Sequence, residues 1–286
     1  MGKILWLASY PKSGNTWLRA FIHNLMLPAL PGRDSSVDIN NMSSLTTGDS
    51  MVQWFRHLDS RSPLAWSRQD VAKMRRGAQL TMMASSPRTV IAKTHNALME
   101  LHGHPTINMD LTAGTIYVVR NPLDLVISLA DHYGVDIDKA IEVMSDPNNG
   151  GLADGNIVFE IHSSWSMHVK SWTQAPHPGL HVVRYEDMLA KPLHAFGGIT
   201  RFLGLKPPRE TLESAIEKSS FKNLRAQEEA KGFQEKSAKG TKFFRVGKSG
   251  QWRDVLTPAQ IEQVVSKHQE QMTRFGYYPL ESAKAN

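Results

Sequence analysis

The first stretch of the sequence with clear chemical potential is Lys12–Trp17, which follows a short apolar run. Gly14 permits a tight turn and a close approach of the backbone to a ligand. If a helix begins here, the amides of Ser13 to Thr16 lie at its amino terminus, where unpaired donors and the helix dipole favour negative charge. Lys12 adds a full positive charge. The stretch therefore predicts an anion-binding loop, and the alternative is an ordinary strand-to-helix turn with a solvated lysine.

This loop differs from the phosphate loop of nucleotide kinases, which has the form G-x-x-x-x-G-K-[ST]. Lys12 precedes Gly14 instead of following it. The later Gly247–Ser249 also fails the pattern, because Lys242 stands where the first glycine is required. A nucleotide kinase is the nearest alternative enzyme. Against it, this chain has neither the kinase phosphate loop nor an evident set of magnesium ligands.

Two further groups of chemically capable residues follow later apolar runs. His95 comes two residues after Lys93, and its imidazole, with an ordinary pKa near ~6.5, can accept a proton at neutral pH. Arg120 stands eight residues before Ser128, and a guanidinium is well suited to bidentate contact with an oxyanion. The alternative for Arg120 is an ion pair with Asp124, four residues further on.

The elements that must position these residues alternate between strand and helix patterns. Asn121 is predicted to cap a helix that has Pro122 at its first position, and Thr257 with Gln260 has the spacing of a capping box. The predicted strands are Ile4–Ala8, Thr89–Ala92, Thr115–Val119 and His181–Val183. The further predicted helices are Trp17–Met26 (ended by Pro28), Ile157–Thr173, Leu193–Phe202, Glu210–Lys218 and Thr257–Arg274. Such alternation predicts an α/β fold with a central parallel sheet covered on both faces by helices.

Three stretches interrupt this alternation and are predicted to be loops or lids: Leu30–Ser50, Asp146–Asn156 and Lys231–Gly250. Open α/β sheets bind their ligands beyond the carboxyl ends of the strands, where such loops would lie. No repeat or linker divides the chain, so a single domain over residues 1–286 is expected.

Composition excludes several classes of protein. The 286 residues contain no cysteine, which rules out a disulfide scaffold, a thiolate zinc site and a cysteine nucleophile. The net charge of +6 indicates an anionic partner. A nucleic-acid binding module is the non-enzyme alternative, but the basic residues are not interleaved with aromatic residues along one element, so no nucleic acid is expected.

The same sequence predicts a cytoplasmic protein that needs no metal. The apolar runs are far shorter than a transmembrane segment, and no signal peptide is expected from the first residues. Asp34, Asp38 and Asp49 fall in a polar stretch and are expected to be solvated. No cluster of acidic residues has the spacing of a metal site.

With these residues in view, the chain resembles sulfotransferases that use 3′-phosphoadenosine 5′-phosphosulfate (PAPS). Tyr10–Trp17 is similar to the family's 5′-phosphosulfate loop, Y-P-K-S-G-T-T-W, and departs from it only at Asn15. Further motifs match in order along the chain: Lys93-Thr94-His95, Tyr117–Pro122 with Ser128, Tyr185–Met188, Ser219–Phe221 and Phe244–Trp252. In the last of these, Val246 replaces the family's lysine, and Lys248 is a candidate substitute.

The resemblance implies a P-loop-like three-layer α/β/α fold and a role for each matching residue. It implies that His95 is the catalytic base, that Lys12 neutralises the charge growing on the leaving phosphate oxygen, and that Lys93 helps to hold the sulfuryl oxygens. It further implies that the donor PAPS contacts Lys12, Ser13, Gly14, Asn15, Thr16, Trp17, Arg120, Ser128, Tyr185, Ser219, Phe221, Arg245, Val246 and Gly247. For Trp17 and Tyr185, simple packing in the core is the alternative.

The implied reaction is in-line transfer of a sulfuryl group to an acceptor hydroxyl or amine, without a metal. The acceptor is a small molecule or a glycoconjugate such as a glycopeptide or glycolipid, and the sequence does not identify it. Apolar residues in the candidate acceptor stretches favour a partly apolar acceptor, with burial in the core as the equal alternative: Trp54, Phe55, Met82, Met83, Met99, Tyr133 and Phe233. The oligomeric state stays open, with a homodimer among the alternatives.

Overall fold

The computed structural model describes residues 2–26, 38–237 and 239–279. The chain divides into two compact units. Unit 1 consists of Met1–Pro11, Thr46–Val118 and Met144–Val182, and unit 2 consists of Lys12–Leu45, Val119–Val143 and Val183–Asn286. The expectation of a single domain over residues 1–286 stays a prediction.

The strands form a five-stranded sheet in the order β2-β3-β1-β6-β9 and two short ribbons, β4-β5 and β7-β8. Their bounds are β1 (Ile4–Ser9), β2 (Thr46–Gly48), β3 (Val90–Thr94), β4 (Glu100–Leu101), β5 (His104–Pro105), β6 (Thr112–Val119), β7 (Gly150–Gly151), β8 (Glu160–Ile161) and β9 (Leu180–Arg184).

Strand β1 lies at the centre of the sheet, parallel to both of its neighbours, β3 and β6. All six of its residues are buried. A parallel strand with a neighbour on each side has no polar face to show to water, which explains its continuous apolar sequence. Ala8 pairs with Thr94, so the carboxyl ends of β1 and β3 lie side by side. The predicted central parallel sheet is confirmed.

The helices are α1 (Asn15–Met26), α2 (Arg68–Ala84), α3 (Pro122–Tyr133), α4 (Ile137–Ser145), α5 (Trp165–Thr173), α6 (Tyr185–Ala190), α7 (Pro192–Phe202), α8 (Arg209–Lys218), α9 (Phe221–Lys231), α10 (Trp252–Val255) and α11 (Pro258–Arg274). Asn121 caps α3 by accepting the amide of Leu123. Thr257 and Gln260 form the predicted capping box of α11. These local signals place the starts of two helices correctly because capping groups satisfy amides that the helix itself leaves unpaired.

Each unit has an apolar cluster of its own. In unit 1, the cluster consists of Val52, Phe55, Trp66, Val71, Ala78 and Val158. In unit 2, it consists of Ala20, Ile39, Met42, Leu224, Phe233 and Phe244, with Trp17, Phe221 and Phe243 packed against it. Helix α1 contacts α8, and α3 contacts both α10 and α11, which builds unit 2 from helices.

Three sequence predictions of secondary structure were wrong in part. The stretch Asp146–Asn156, predicted as a loop, contains the short strand β7. The helix predicted over Ile157–Thr173 begins only at Trp165, where Ser164 accepts the amide of Met167, and the residues before it form β8. The stretch Leu30–Ser50, predicted as a loop, contains strand β2, whose three residues form the edge of the sheet beside β3. Residues 30–37 of that stretch, including Asp34, lie outside the described residues, as does Pro28.

Among the described residues, no helix combines the length and the apolar character that crossing a membrane requires.

Candidate functional site

The loop between β1 and α1 makes an unusual turn. Lys12 and Gly14 both adopt positive φ angles, 66° and 108°. This conformation costs about 1–2 kcal/mol at a residue other than glycine, so Lys12 is held there by its surroundings. Helix α1 begins directly after the turn, and Leu18 donates its amide to the Gly14 carbonyl at 3.1 Å. Ser13, Asn15 and Thr16 are buried.

Arg120, at the end of β6, is joined to this loop within unit 2. Its Nη1 donates to the Lys12 carbonyl at 3.0 Å and to Ser128 Oγ at 3.2 Å. Its guanidinium also lies 4.4 Å from the centre of the Tyr185 ring. The predicted pairing of Arg120 with Ser128 is therefore present. The alternative partner, Asp124, instead accepts the amides of Gly250 and Trp252.

Two aromatic residues of the predicted nucleotide site, Trp17 and Tyr185, contact each other edge to face, with ring centres 5.5 Å apart. Trp17 makes a similar contact with Phe196 at 5.6 Å. Tyr185 is buried, which raises the pKa of its phenol and keeps it protonated. The Trp17 ring is partly buried in the apolar cluster of unit 2, so packing accounts for at least part of its role.

The later nucleotide motifs are brought together by α9. Phe221 is the first residue of that helix, and a Cβ added to Gly247 would overlap its ring. Arg245 Nη2 lies 3.5 Å from Gln251 Oε1. Val246 is half-buried and Lys248 is exposed. That Lys248 supplies the charge of the lysine replaced by Val246 stays a prediction.

Ser219, which the motif assigns to the nucleotide, lies at the carboxyl end of α8. It is fully buried, and its hydroxyl donates to the carbonyls of Ala215 and Ile216 at the end of α8. Because a hydroxyl has one proton, this donor is engaged within the helix. The Ser219 side chain therefore caps the carboxyl end of α8.

Among the residues that the motifs assign to the nucleotide, three buried donors have no hydrogen-bond partner among the described residues: Ser13 Oγ, Trp17 Nε1 and Arg120 Nε. Among the described residues, no carboxylate forms an ion pair with Arg120. Leaving a buried polar group unpaired costs about 1–3 kcal/mol, and more if it is charged. Phosphate and sulfate oxygens accept from hydroxyl, ammonium and guanidinium donors alike. The donor set of unit 2 therefore fits an oxyanion.

In unit 1, His95 follows β3 directly and is half-buried. Its Nδ1 lies 2.7 Å from the carbonyl oxygen of Ser9, at the end of β1. A carbonyl can only accept, so Nδ1 carries the proton in the neutral ring and Nε2 keeps its lone pair. Burial and the neighbouring Lys93 charge lower the pKa of His95 well below 6.5. The ring is therefore neutral at pH 7, with Nε2 as its proton acceptor.

Asp49 holds the end of β3 and the residues that follow it, from Lys93 to Asn96. Asp49 accepts Thr94 Oγ1 at 3.0 Å and Asn96 Nδ2 at 3.0 Å, and its own amide donates to the Lys93 carbonyl at 3.0 Å. Arg75 completes the group as an ion pair at 3.4 Å. The prediction that Asp49 is solvated was wrong: it is 2% exposed, and burial raises its pKa to about 6.

His168 supports the same segment from α5. Burial lowers its pKa to about 3, so the ring is neutral. Nε2 donates to the His95 carbonyl at 3.1 Å, which leaves Nδ1 to accept the Tyr117 hydroxyl at 2.8 Å. His168 and Asp49 lie far from His95 in sequence, and no motif indicated either of them.

Glu160 and His162 form a further close pair in unit 1, with Glu160 Oε2 3.4 Å from His162 Nε2. Burial alone would raise the pKa of Glu160, but the hydrogen bond from His162 and the nearby Lys93 charge lower it. Glu160 is therefore an anion at neutral pH, and it partly offsets the effect of Lys93 on His95.

For three of the apolar residues in the candidate acceptor stretches, the structure favours the alternative of core burial. Phe55 and Phe233 belong to the apolar clusters of units 1 and 2, and Met82 is fully buried in α2. Asp38, by contrast, is partly exposed as expected, and it pairs with Lys231 at 3.0 Å. Within the described ranges, no three histidine, aspartate or glutamate side chains are grouped so that they could hold a metal ion.

Comparisons with known proteins bear on the family and the fold of the chain. A family model described as "Sulfotransferase domain" matches residues 3–276. Sulfotransferase 1A1 of Mus musculus is 29% identical over 205 residues, which cover 68% of this chain and 66% of that protein, slightly less than two thirds of its length. The 3-beta-hydroxysteroid sulfotransferase of Cavia porcellus is 24% identical over 280 residues, which cover 95% of this chain and 83% of that protein.

Solved structures give the same fold. Mouse sulfotransferase SULT7A1, complexed with PAP, has a TM-score of 0.61 at 19% identity, covering 96% of this chain and 85% of its own. Retinol dehydratase, in a complex with retinol and PAP, has a TM-score of 0.64 at 19% identity, covering 94% and 81%. At this identity the likeness establishes the fold, which is the P-loop-like α/β fold expected from the motifs.

Proposed function

The chain belongs to the sulfotransferase family, and from that premise we propose that it transfers a sulfuryl group from PAPS to an acceptor hydroxyl or amine. The acceptor is a small molecule or a glycoconjugate. The observation that carries the proposal is the pair of buried, unpartnered donors, Ser13 Oγ and Arg120 Nε, in the cationic group of unit 2. An oxyanion satisfies both, whereas a neutral ligand would leave the guanidinium uncompensated.

Each residue of that group has a proposed task. Lys12 and the α1 amides hold the 5′-phosphosulfate end, where an ammonium and a helix amino terminus both favour negative charge. Arg120 and Ser128 hold the 3′-phosphate, together with Arg245 and the backbone around Gly247. Trp17, Tyr185 and Phe221 offer aromatic surface for the adenine. PAPS supplies the chemistry itself: a sulfuryl group attached to a phosphate leaving group.

His95 is the proposed general base. Its Nδ1–H is held by the Ser9 carbonyl at 2.7 Å, and Nε2 takes the proton of the attacking hydroxyl. The new bond joins the acceptor oxygen to sulfur as the bond from sulfur to the phosphate oxygen breaks, in line. Lys12 and Lys93 oppose the negative charge that grows during this exchange. Lys12 follows Ser9, the partner of His95, by three residues along the chain.

The decisive experiment separates binding from chemistry. The full chain is titrated with adenosine 3′,5′-bisphosphate (PAP) by calorimetry without magnesium, and labelled sulfate transfer is measured on a panel of phenols, sterols, sugars and glycopeptides. His95→Ala should lower turnover by roughly 10²–10⁴-fold and leave the PAP Kd unchanged. Arg120→Ala should raise the PAP Kd by roughly 10–100-fold, the value of a charged hydrogen bond.

His194→Ala is the matched control for the first variant, because His194 is an exposed histidine on α7. It should alter neither quantity. If ATP with magnesium stabilises the protein while PAP does not, the chain is a nucleotide kinase and the proposal is wrong. If His95→Ala keeps turnover within a few-fold of the wild type, another group is the base.

A further inference from the structure

The segment Phe243–Trp252 is fastened at both ends by buried carboxylates of unit 2. Glu228, on α9, accepts the amides of Phe243 at 2.7 Å and Phe244 at 2.8 Å. Asp124, on α3, accepts the amides of Gly250 at 2.6 Å and Trp252 at 3.1 Å. Their exposures are 8% and 1%. Two negative side chains thus fix the backbone on either side of Arg245–Lys248.

None of the sequence motifs includes Glu228, whose carboxylate accepts the amides of Phe243 and Phe244. Among the described residues, no lysine or arginine forms an ion pair with Glu228, so its carboxylate serves the two backbone amides. Charge-assisted hydrogen bonds of this kind are about twice as strong as neutral ones. Replacing the carboxylate would leave at least one buried amide without its acceptor, and the turn before Arg245 would lose its anchor.

Helix α9 connects this anchor to the rest of the predicted nucleotide site. The helix begins with Phe221, whose ring supports Gly247, and Glu228 lies two turns further along it. The two residues therefore hold the segment Phe243–Gly247 from one rigid element. At its start the segment also reaches the anion loop, because the Phe243 ring centre lies 4.0 Å from Lys12 Nζ.

We infer that Glu228 is a positioning residue for recognition of the 3′-phosphate: by holding the Phe243 and Phe244 amides, it sets the position from which Arg245 reaches its ligand. The inference rests on the proposed function, since it presupposes a nucleotide with a 3′-phosphate. Glu228 itself, as an anion, does not contact that phosphate. Its effect passes through the backbone of two adjoining residues.

Glu229 provides a matched control one residue away. It lies on the exposed side of α9, paired with Arg225 at 3.0 Å and Lys242 at 2.9 Å. Glu228→Gln and Glu229→Gln therefore remove the same charge from the same helix. Only the first removes acceptors from the backbone before Arg245, because a glutamine amide nitrogen donates and cannot accept.

The test compares two ligands that differ by the 3′-phosphate alone, PAP and adenosine 5′-phosphate, titrated by calorimetry into the full chain. Glu228→Gln should raise the Kd of PAP about tenfold, the effect of one charged hydrogen bond, and leave the Kd of adenosine 5′-phosphate within about twofold. Glu229→Gln should change neither. A general loss of structure would weaken both ligands together.

Equal weakening of both ligands by Glu228→Gln, or no weakening of PAP, would overturn the inference. If Glu228→Gln does not fold, Glu228→Asp decides by the same two affinities. It keeps the charge but is one methylene too short to hold both amides, so PAP alone should weaken. A wild-type chain that binds no PAP at all contradicts the proposed function instead, which is a different result.

Discussion

Units 1 and 2 hold their candidate site residues by different means. In unit 2, the residues that motifs identify touch one another directly: Arg120 bonds to the Lys12 carbonyl and to Ser128, and lies over Tyr185. In unit 1, His95 is held by groups that no motif identifies. Thr94 and Asn96, on either side of it, bond to Asp49, and its own carbonyl accepts from His168.

This difference teaches where a sequence carries its information about function. Groups that bind a ligand stand in short local patterns, because one turn or one helix start must present several of them together. Groups that position a catalytic residue need only a buried polar contact, and the fold can supply it from any distance along the chain. Asp49 lies 46 positions before His95 and His168 lies 73 after it.

The largest expected effect on stability comes from removing the Asp49 carboxylate, which supports the residues around His95 in unit 1. Asp49→Asn leaves Arg75 buried, at 4% exposure, without its counter-charge. Removing one partner of a buried ion pair costs about 3–5 kcal/mol. The free energy of unfolding should fall by that amount in urea titrations. Turnover should also fall, because the side chains of Thr94 and Asn96, on either side of His95, both bond to the Asp49 carboxylate that the substitution replaces, while the PAP Kd should stay unchanged.

Asp59→Asn is the control for that variant, since Asp59 pairs with Arg61 at the surface of the same unit. It should leave stability and turnover close to those of the wild type. If Asp49→Asn unfolds with the wild-type free energy, the buried pair does not stabilise unit 1. If it weakens PAP as much as it lowers turnover, the two units do not divide binding and chemistry as argued.

Helix α2 shows why part of the fold could not be predicted. Its buried face includes Arg75 and Gln79, so its apolar stripe is interrupted and the sequence pattern indicated no helix. Both side chains are satisfied by distant groups: Arg75 by Asp49 and the Phe159 carbonyl, and Gln79 by Thr106 and Asn108. Because distant groups satisfy these polar side chains, they can lie on the buried face of a helix. The apolar periodicity that would predict the helix is then lost from the local sequence.

By contrast, β1, α1 and the junction of β6 with α3 were predictable because their signals are local. A buried parallel strand is continuously apolar, and Asn121 with Pro122 marks a helix start. The candidate site divides in the same way. Lys12, Arg120 and Ser128 followed from motifs, whereas Asp49, His168 and Glu228 required the structure.

A second, smaller effect is expected within unit 2 from Gly247→Ala. Gly247 has a φ of 67°, which costs about 1–2 kcal/mol for a residue with a Cβ. The added Cβ would also overlap the Phe221 ring, and such overpacking costs about 1–3 kcal/mol. Urea titrations should therefore show a loss of about 2–5 kcal/mol, and the PAP Kd should rise because the segment from Arg245 to Gly247 must shift.

Gly204→Ala separates the two causes. Gly204 has nearly the same φ, 69°, but a Cβ there would meet nothing within 4 Å. This control should show the backbone cost alone and an unchanged PAP Kd. If the two variants lose the same free energy of unfolding, the Phe221 ring moves aside without cost. The inference that α9 holds Gly247 in place would then be wrong.

The smallest effect concerns the pH dependence of stability through His268, a buried residue of α11 in unit 2. Burial and the Lys267 charge lower its pKa to about 4, from an ordinary value of 6.5. Between these values the unfolded chain binds a proton that the folded chain does not. Stability due to this histidine is therefore present above pH 6.5 and is lost as the pH falls toward 4.

His268→Gln should remove this contribution. The loss of unfolding free energy between pH 7 and pH 5 should be about 2 kcal/mol smaller in the variant than in the wild type. Urea titrations at the two pH values measure it, with His194→Gln as the exposed control expected to behave as the wild type. An unchanged difference in His268→Gln would mean that the acid sensitivity arises elsewhere, with the buried His168 of unit 1, whose pKa is lowered to about 3, as the next histidine to substitute.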